Sequence, residues 1–219
     1  MTCGDKAGKE AANFVLRATD LATGRTEFRS RPSILEFAFT TACNLKCVMC
    51  HQSQDPVVVN APEKDAAVFL DEVLPAVTCW TPTATSETFT NRMDMLLGLA
   101  EKHGAFLHAY TNAVLLTAEA LEQLEPRLHR LTVSIDSHIP EVLESIRPPA
   151  DWETVSAHSE AAVAFCTERG IPVMFHLVLL AENLDHLDGY LDWVNGIDGR
   201  QVTVLQGLDN VPEYAHLDP

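Results

Sequence analysis

The chain has 219 residues, with 15 Lys and Arg against 31 Asp and Glu, a formal charge of −16 and an isoelectric point near 4.8. That length buries one full core and fits a single α/β domain, and the acidity argues against a nucleic-acid surface, which needs clustered Lys and Arg. No apolar run reaches the length of a membrane-spanning helix, and residues 1–30 hold Asp5, Glu10, Asp20 and Glu27 but no signal-peptide core, so the six cysteines point to a reducing cytoplasm.

Residues 1–32 read as a polar, mobile N-terminal extension that carries Cys3. Short apolar or β-branched runs then predict strands over 34–40, 77–81, 105–111, 130–136, 173–180 and 201–206. Between them, apolar residues recur at helical spacing: Phe69, Leu70, Val73 and Leu74; Met93, Leu96, Leu97 and Ala100; Leu121 and Leu124; Val155, Ala162, Val163 and Cys166; Leu184, Leu187, Leu191 and Val194. Gly104 and Gly170 close two of these helices, and Thr117, Asp151 and Asn183 are the expected N-caps. The repeat is β-α, which implies a parallel sheet covered by helices, a partial (β/α)6 TIM-like barrel over residues 33–206. In such a barrel the chemistry sits on the loops at the C-terminal ends of the strands. Five helices serve six strands, so the helix after the sixth strand is expected to be missing, with Val202, Val204 or Leu205 left exposed. Residues 207–219 read as a tail without helix or cysteine, and the chain as a truncated form of a longer enzyme that pairs or aggregates through that edge.

Directly after the first strand come Cys43, Cys47 and Cys50, spaced Cys-x3-Cys-x2-Cys. Three thiolates on one loop suit three corners of a cubic [4Fe-4S] cluster and leave the fourth iron open to a ligand. Residues 47–51 also match the C-x-x-C-H haem attachment pattern, but that chemistry follows export. A redox pair would leave Cys43 unexplained, and a zinc site would need a second Cys/His pair at knuckle spacing. Cys79 and Cys166, in a strand and on a helix stripe, read as core thiols. His51 reads as a neighbour of the cluster, and His176 as a substrate contact if it points inward.

The segment Thr41-Ala42-Cys43-Asn44-Leu45-Lys46-Cys47-Val48-Met49-Cys50 resembles the cluster loop of the radical S-adenosylmethionine superfamily, particularly the branch whose members often carry a C-terminal auxiliary cluster domain. Ser86-Glu87-Thr88-Phe89-Thr90-Asn91-Arg92 falls where the family has Gly-Glu-Pro-Leu-Leu-Asn-Pro, Thr111-Asn112-Ala113 resembles its Thr-Asn-Gly, and Val133-Ser134-Ile135-Asp136-Ser137 its Ser-Ile-Asp-Gly. The resemblance implies that Cys43, Cys47 and Cys50 hold the cluster and that Glu87 holds the amine of S-adenosylmethionine. It also makes Asn112, Ser134 and Arg147 candidates for the rest of that ligand. The implied activity is reductive cleavage of S-adenosylmethionine to a 5′-deoxyadenosyl radical that abstracts hydrogen from a peptide or small molecule, with flavodoxin or ferredoxin as electron donor and neither nucleic acid nor membrane as partner. Three departures stand out: Ser86 and Ala113 replace glycines and Thr88 a proline, and the expectation is a side chain at position 86 that crowds the backbone near the ligand and an unusual backbone angle at Ala113 that is less comfortable than for glycine. The alternative is a non-catalytic or truncated cluster-binding descendant that acts as a binding protein.

Overall fold

Alternation along the strands, more than their overall hydrophobicity, sets the architecture. In this computed structural model, which describes residues 3–54, 57–83, 86–199 and 201–206, six strands pair in chain order and all in parallel. They are β1 (Ile34–Glu36), β2 (Cys79–Thr81), β3 (Phe106–Thr111), β4 (Leu128–Ser134), β5 (Val173–Val178) and β6 (Gln201–Gln206). β1 and β6 lie at opposite edges, so the sheet is an open, partial barrel of the expected α/β class.

One face of this sheet carries Trp80, Leu107, Ala109, Leu131, Val133, Phe175 and Leu177, all buried against the helices. Those helices are α3 (Glu63–Val73), α4 (Met93–His103), α5 (Ala118–Leu124), α7 (Trp152–Glu168) and α9 (Leu187–Gly196). Shorter α2 (His51–Gln54), α6 (Pro140–Ile146) and α8 (Ala181–Leu184) sit in the loops, and α1 (Cys3–Ala22) precedes the barrel. Each large side chain buried in this layer contributes roughly 1.5–3 kcal/mol. The opposite face holds Thr81, Tyr110, Thr132, Ser134, Met174, His176 and Val204, which line an interior cavity of ≈ 500 Å³.

The helix ends follow the sequence signals in most places. Thr117 and Asp151 cap α5 and α7 by accepting from Ala120 N and Thr154 N, and Gly104 (φ 65°) ends α4 in the left-handed conformation. Asn183 is not an N-cap. It lies inside α8 with its side chain turned back onto the Leu180 N–H and the carbonyls of Asp136 and Val178.

Several boundaries differ from expectation for physical reasons. After β1 ends at Glu36, Phe37 N still donates to the Thr81 carbonyl of β2 at 3.1 Å, but pairing goes no further because Phe39 N donates to Asn91 Oδ1 at 3.0 Å and Thr40 pairs antiparallel with Asn60. β5 stops at Val178, whose N–H goes to Asp136 Oδ1 at 2.8 Å. The N-terminal segment contains a 20-residue helix, tied down where the Asp20 carboxylate accepts from Arg29 N, Ser30 N and Arg29 Nε at 2.8–3.0 Å. Cys79 is half-buried on the cavity side of β2 and not in the core, whereas Cys166 is buried on α7 as expected. Val204 turns into the cavity and not outward. The side chains of Cys3, Val202 and Leu205, and the tail 207–219, lie outside the described residues.

Candidate cluster and cofactor site

The loops that leave β1 to β5 meet over one cleft of ≈ 320 Å³. Its walls include Cys43, Cys47 and Cys50 with Glu87, Asn112, Ser134 and Arg147, so every residue nominated from the sequence lies on this one wall set.

The cysteine loop is fixed by backbone pairing to the end of α6. Lys46 N donates to the Pro148 carbonyl at 2.6 Å and Val48 N to the Ile146 carbonyl at 2.9 Å, while Cys50 N closes a turn on the Cys47 carbonyl. Cys43 is exposed, Cys50 half-buried and Cys47 buried. Burial pushes the Cys43 thiol up, and it pushes Cys47 up to about 11 although the nearby Arg147 guanidinium acts in the other direction. A positive partner that both thiolates touch would remove this cost.

Glu87 is 2% exposed and held by backbone N–H groups: Asn112 N reaches Oε2 at 2.8 Å and Phe89 N reaches Oε1 at 3.4 Å. Burial, the largest influence, raises its pKa. The loop around it is locked onto its neighbours. Thr90 Oγ1 donates to the Ala42 carbonyl at 2.7 Å, and Asn91 Nδ2 donates to the Glu87 carbonyl at 3.1 Å. Thr88, where the family has proline, is fully buried and donates to the Tyr110 carbonyl at 2.6 Å, so the departure replaces a rigid ring with a hydrogen bond into β3. Ser86, where the family has glycine, is bound to Thr83, whose Oγ1 accepts from Ser86 N at 3.3 Å.

Asn112 bridges Glu87 to the cysteine loop. Its Nδ2 donates to Asn44 Oδ1 at 2.8 Å and lies 3.9 Å from Cys43 Sγ, while its Oδ1 accepts from Val114 N. The next residue, Ala113, takes φ 66°, the conformation that a glycine would adopt without strain. Arg147 is buried: Nε donates to Asp136 Oδ2 at 2.6 Å and Nη1 lies 3.8 Å from Cys47 Sγ. Burial alone would lower the guanidinium pKa, but the Asp136 carboxylate beside it raises it, so Arg147 stays charged. Ser134 and His176 are half-buried and line both the cleft and the interior cavity, as do Ser86 and Tyr110.

A model of the radical SAM superfamily matches residues 37–194, which is most of the chain. The chain belongs to the radical S-adenosylmethionine superfamily. Its fold is similar to that of Streptococcus suis SuiB bound to S-adenosylmethionine (TM-score 0.64, 14% identity, covering 90% of this chain and 45% of that one). It is also similar to anSMEcpe with bound AdoMet and Cp18Cys peptide (0.62, 16%, 80% and 50%) and to methylornithine synthase PylB (0.60, 12%, 94% and 62%). The chain thus spans about half the length of SuiB and anSMEcpe. Comparison with curated proteins by sequence finds no match.

The cofactors of this superfamily are a four-iron cluster and S-adenosylmethionine, and the donor set of the cleft suits them, with thiols for iron and a carboxylate for an amine. Among the described residues no three His, Cys, Asp or Glu side chains converge closely enough to hold a single metal ion. The three cysteines nevertheless share one wall. Three thiols on one loop and one wall suit a cluster, in which each sulfur meets a different iron.

Sequence reasoning passed over four residues that build this cleft: Asn44, Asn91, Tyr110 and Asp136. Asn44, Asn91 and Asp136 stand inside the quoted motifs, and the motif positions were their signal. Tyr110 could have been found from its position two before Asn112 on β3, which puts it on the cavity face.

Proposed function

We propose that the chain binds a four-iron cluster through Cys43, Cys47 and Cys50 and uses it to cleave S-adenosylmethionine, generating a radical that takes hydrogen from a peptide or small molecule. When bound, the cluster supplies the electron that splits the sulfonium into methionine and a 5′-deoxyadenosyl radical. Every other task falls to the protein. Glu87 accepts a charge-assisted hydrogen bond from the amine of the methionine end. Asn112, Ser134 and Arg147 flank the remainder of that ligand, and Asn112 keeps Glu87 in register with the cysteine loop.

The observation that carries this reading is the continuity of two spaces. The cleft with the cysteines and Glu87 shares Ser86, Tyr110, Ser134 and His176 with the ≈ 500 Å³ interior cavity. A radical formed at the first therefore opens directly onto the second, where Thr81, Thr132 and Glu36 offer polar contacts to a substrate. The cavity has room for a single side chain of a peptide or for a small metabolite, and the peptide held by anSMEcpe supports the former. The electron would come from a carrier such as flavodoxin or ferredoxin.

Anaerobic reconstitution with iron and sulfide tests the assignment. One four-iron cluster per chain is expected, and Cys43→Ala, Cys47→Ala and Cys50→Ala should each abolish it while Cys79→Ala and Cys166→Ala leave the iron content unchanged. Stoichiometric zinc, or a second cluster, would contradict it.

A further inference from the structure

The pairing that anchors the cysteine loop places two particular residues face to face. Lys46 N binds the Pro148 carbonyl and Val48 N binds the Ile146 carbonyl, so the residue between each pair, Cys47 in one segment and Arg147 in the other, is brought opposite its counterpart across 100 positions of sequence. The Arg147 side chain is buried at this point, with Nη1 3.8 Å from Cys47 Sγ and Nε 2.6 Å from Asp136 Oδ2. Asp136 is fully buried and held in turn by Val178 N at 2.8 Å. The hydroxyl of Tyr190, buried and without a hydrogen-bond partner among the described residues, feels the charges of both Asp136 and Arg147.

We infer that Arg147 is a positioning and tuning residue for the cluster: it directs an N–H and a positive charge at the Cys47 sulfur, and Asp136 sets how much of that charge the sulfur feels. This inference rests on the functional reading above. The reduction potential of an iron–sulfur cluster depends on net charge, on hydrogen bonds to its sulfurs and on solvent exposure. A guanidinium donor next to a thiolate stabilises the more negative, reduced cluster, which eases the arrival of the electron. A carboxylate 2.6 Å behind it offsets part of that effect. The two residues should therefore act in opposite directions, a signature that a purely structural ion pair would not give.

Removing one partner of a buried pair leaves an uncompensated charge and destabilises the fold, whereas replacing both by apolar residues is often tolerated. The decisive comparison is an electron paramagnetic resonance redox titration of the reconstituted chain without S-adenosylmethionine, so that contact between Arg147 and that ligand plays no part. Arg147→Met/Asp136→Leu is expected to move the midpoint to more negative potential, and Asp136→Asn to more positive potential. If Asp136→Asn fails to fold, the double variant decides alone. A wild-type midpoint retained in the double variant overturns the inference and leaves the functional reading standing. Absence of a cluster in the wild-type chain overturns both.

Discussion

Glu87 is a carboxylate stripped of water and held by two backbone N–H groups, with its pKa raised because burial penalises the charged form. A bound ammonium would give it the counter-charge that burial withholds, so binding of S-adenosylmethionine should weaken as pH falls and Glu87 takes up a proton. Glu87→Gln should keep the cluster, since the residue is not among the thiol ligands, and weaken S-adenosylmethionine by about 1.5–3 kcal/mol, the scale of a hydrogen bond to a charged group. Unchanged affinity in an anaerobic titration would remove Glu87 from the site. At this scale the sequence was readable where chemistry is local. The cysteine spacing lies within eight residues, and Glu87 and Asn112 stand in motifs. The opposition of Cys47 and Arg147 was not readable, because it arises from a backbone pairing between residues 100 apart. The unusual backbone angle expected at Ala113 is present as φ 66°, and the threonine that stands in place of a proline at position 88 is accommodated because its hydroxyl finds an acceptor in β3.

The six strands and the five covering helices were legible in number and order but not in their ends, and α1 and the short helices in the loops were not legible. Apolar periodicity located five covering helices, and it could not reveal that Asn91 and Asp136 divert the N–H groups that would have lengthened β1 and β5. The N-terminal segment was misread because its polarity suggested mobility. Polar contacts hold α1: the buried Asp20 carboxylate is bound by Arg29 and Ser30, and Asn13 exchanges two hydrogen bonds with the backbone of Arg31. Although burial alone would raise the Asp20 pKa, hydrogen bonds from Ser30 N and Arg29 lower it to about 2. A depressed carboxyl pKa means that this clasp is fully formed above the ordinary carboxylate range and is lost as pH falls through about 2. At neutral pH, Asp20→Ala should therefore speed proteolytic cleavage between residues 23 and 33 while the barrel retains its circular dichroism. Cleavage at the wild-type rate would show that α1 is held by other contacts.

For the whole molecule, the sheet separates two jobs. Its outer face buries the apolar residues that hold the helices, and its inner face, with the loops at the strand ends, carries the polar groups that surround a cavity and a cleft. That division was only half visible in the sequence. The strands read as continuous apolar runs, yet His108, Tyr110, Thr132, Ser134 and His176 occupy every second position and turn the interior polar. A cavity of ≈ 500 Å³ is left unfilled between Tyr110, Thr132, Ser134 and His176. The central claim is that the cleft fires a radical into this space. It is tested most directly by incubating the reconstituted chain with S-adenosylmethionine and dithionite under anaerobic conditions and measuring 5′-deoxyadenosine. The account predicts that 5′-deoxyadenosine and methionine form in equal amounts and that Cys47→Ala forms neither. A chain that holds an intact, reducible cluster and binds S-adenosylmethionine yet forms no 5′-deoxyadenosine would contradict it, and would mark the protein as a non-catalytic descendant.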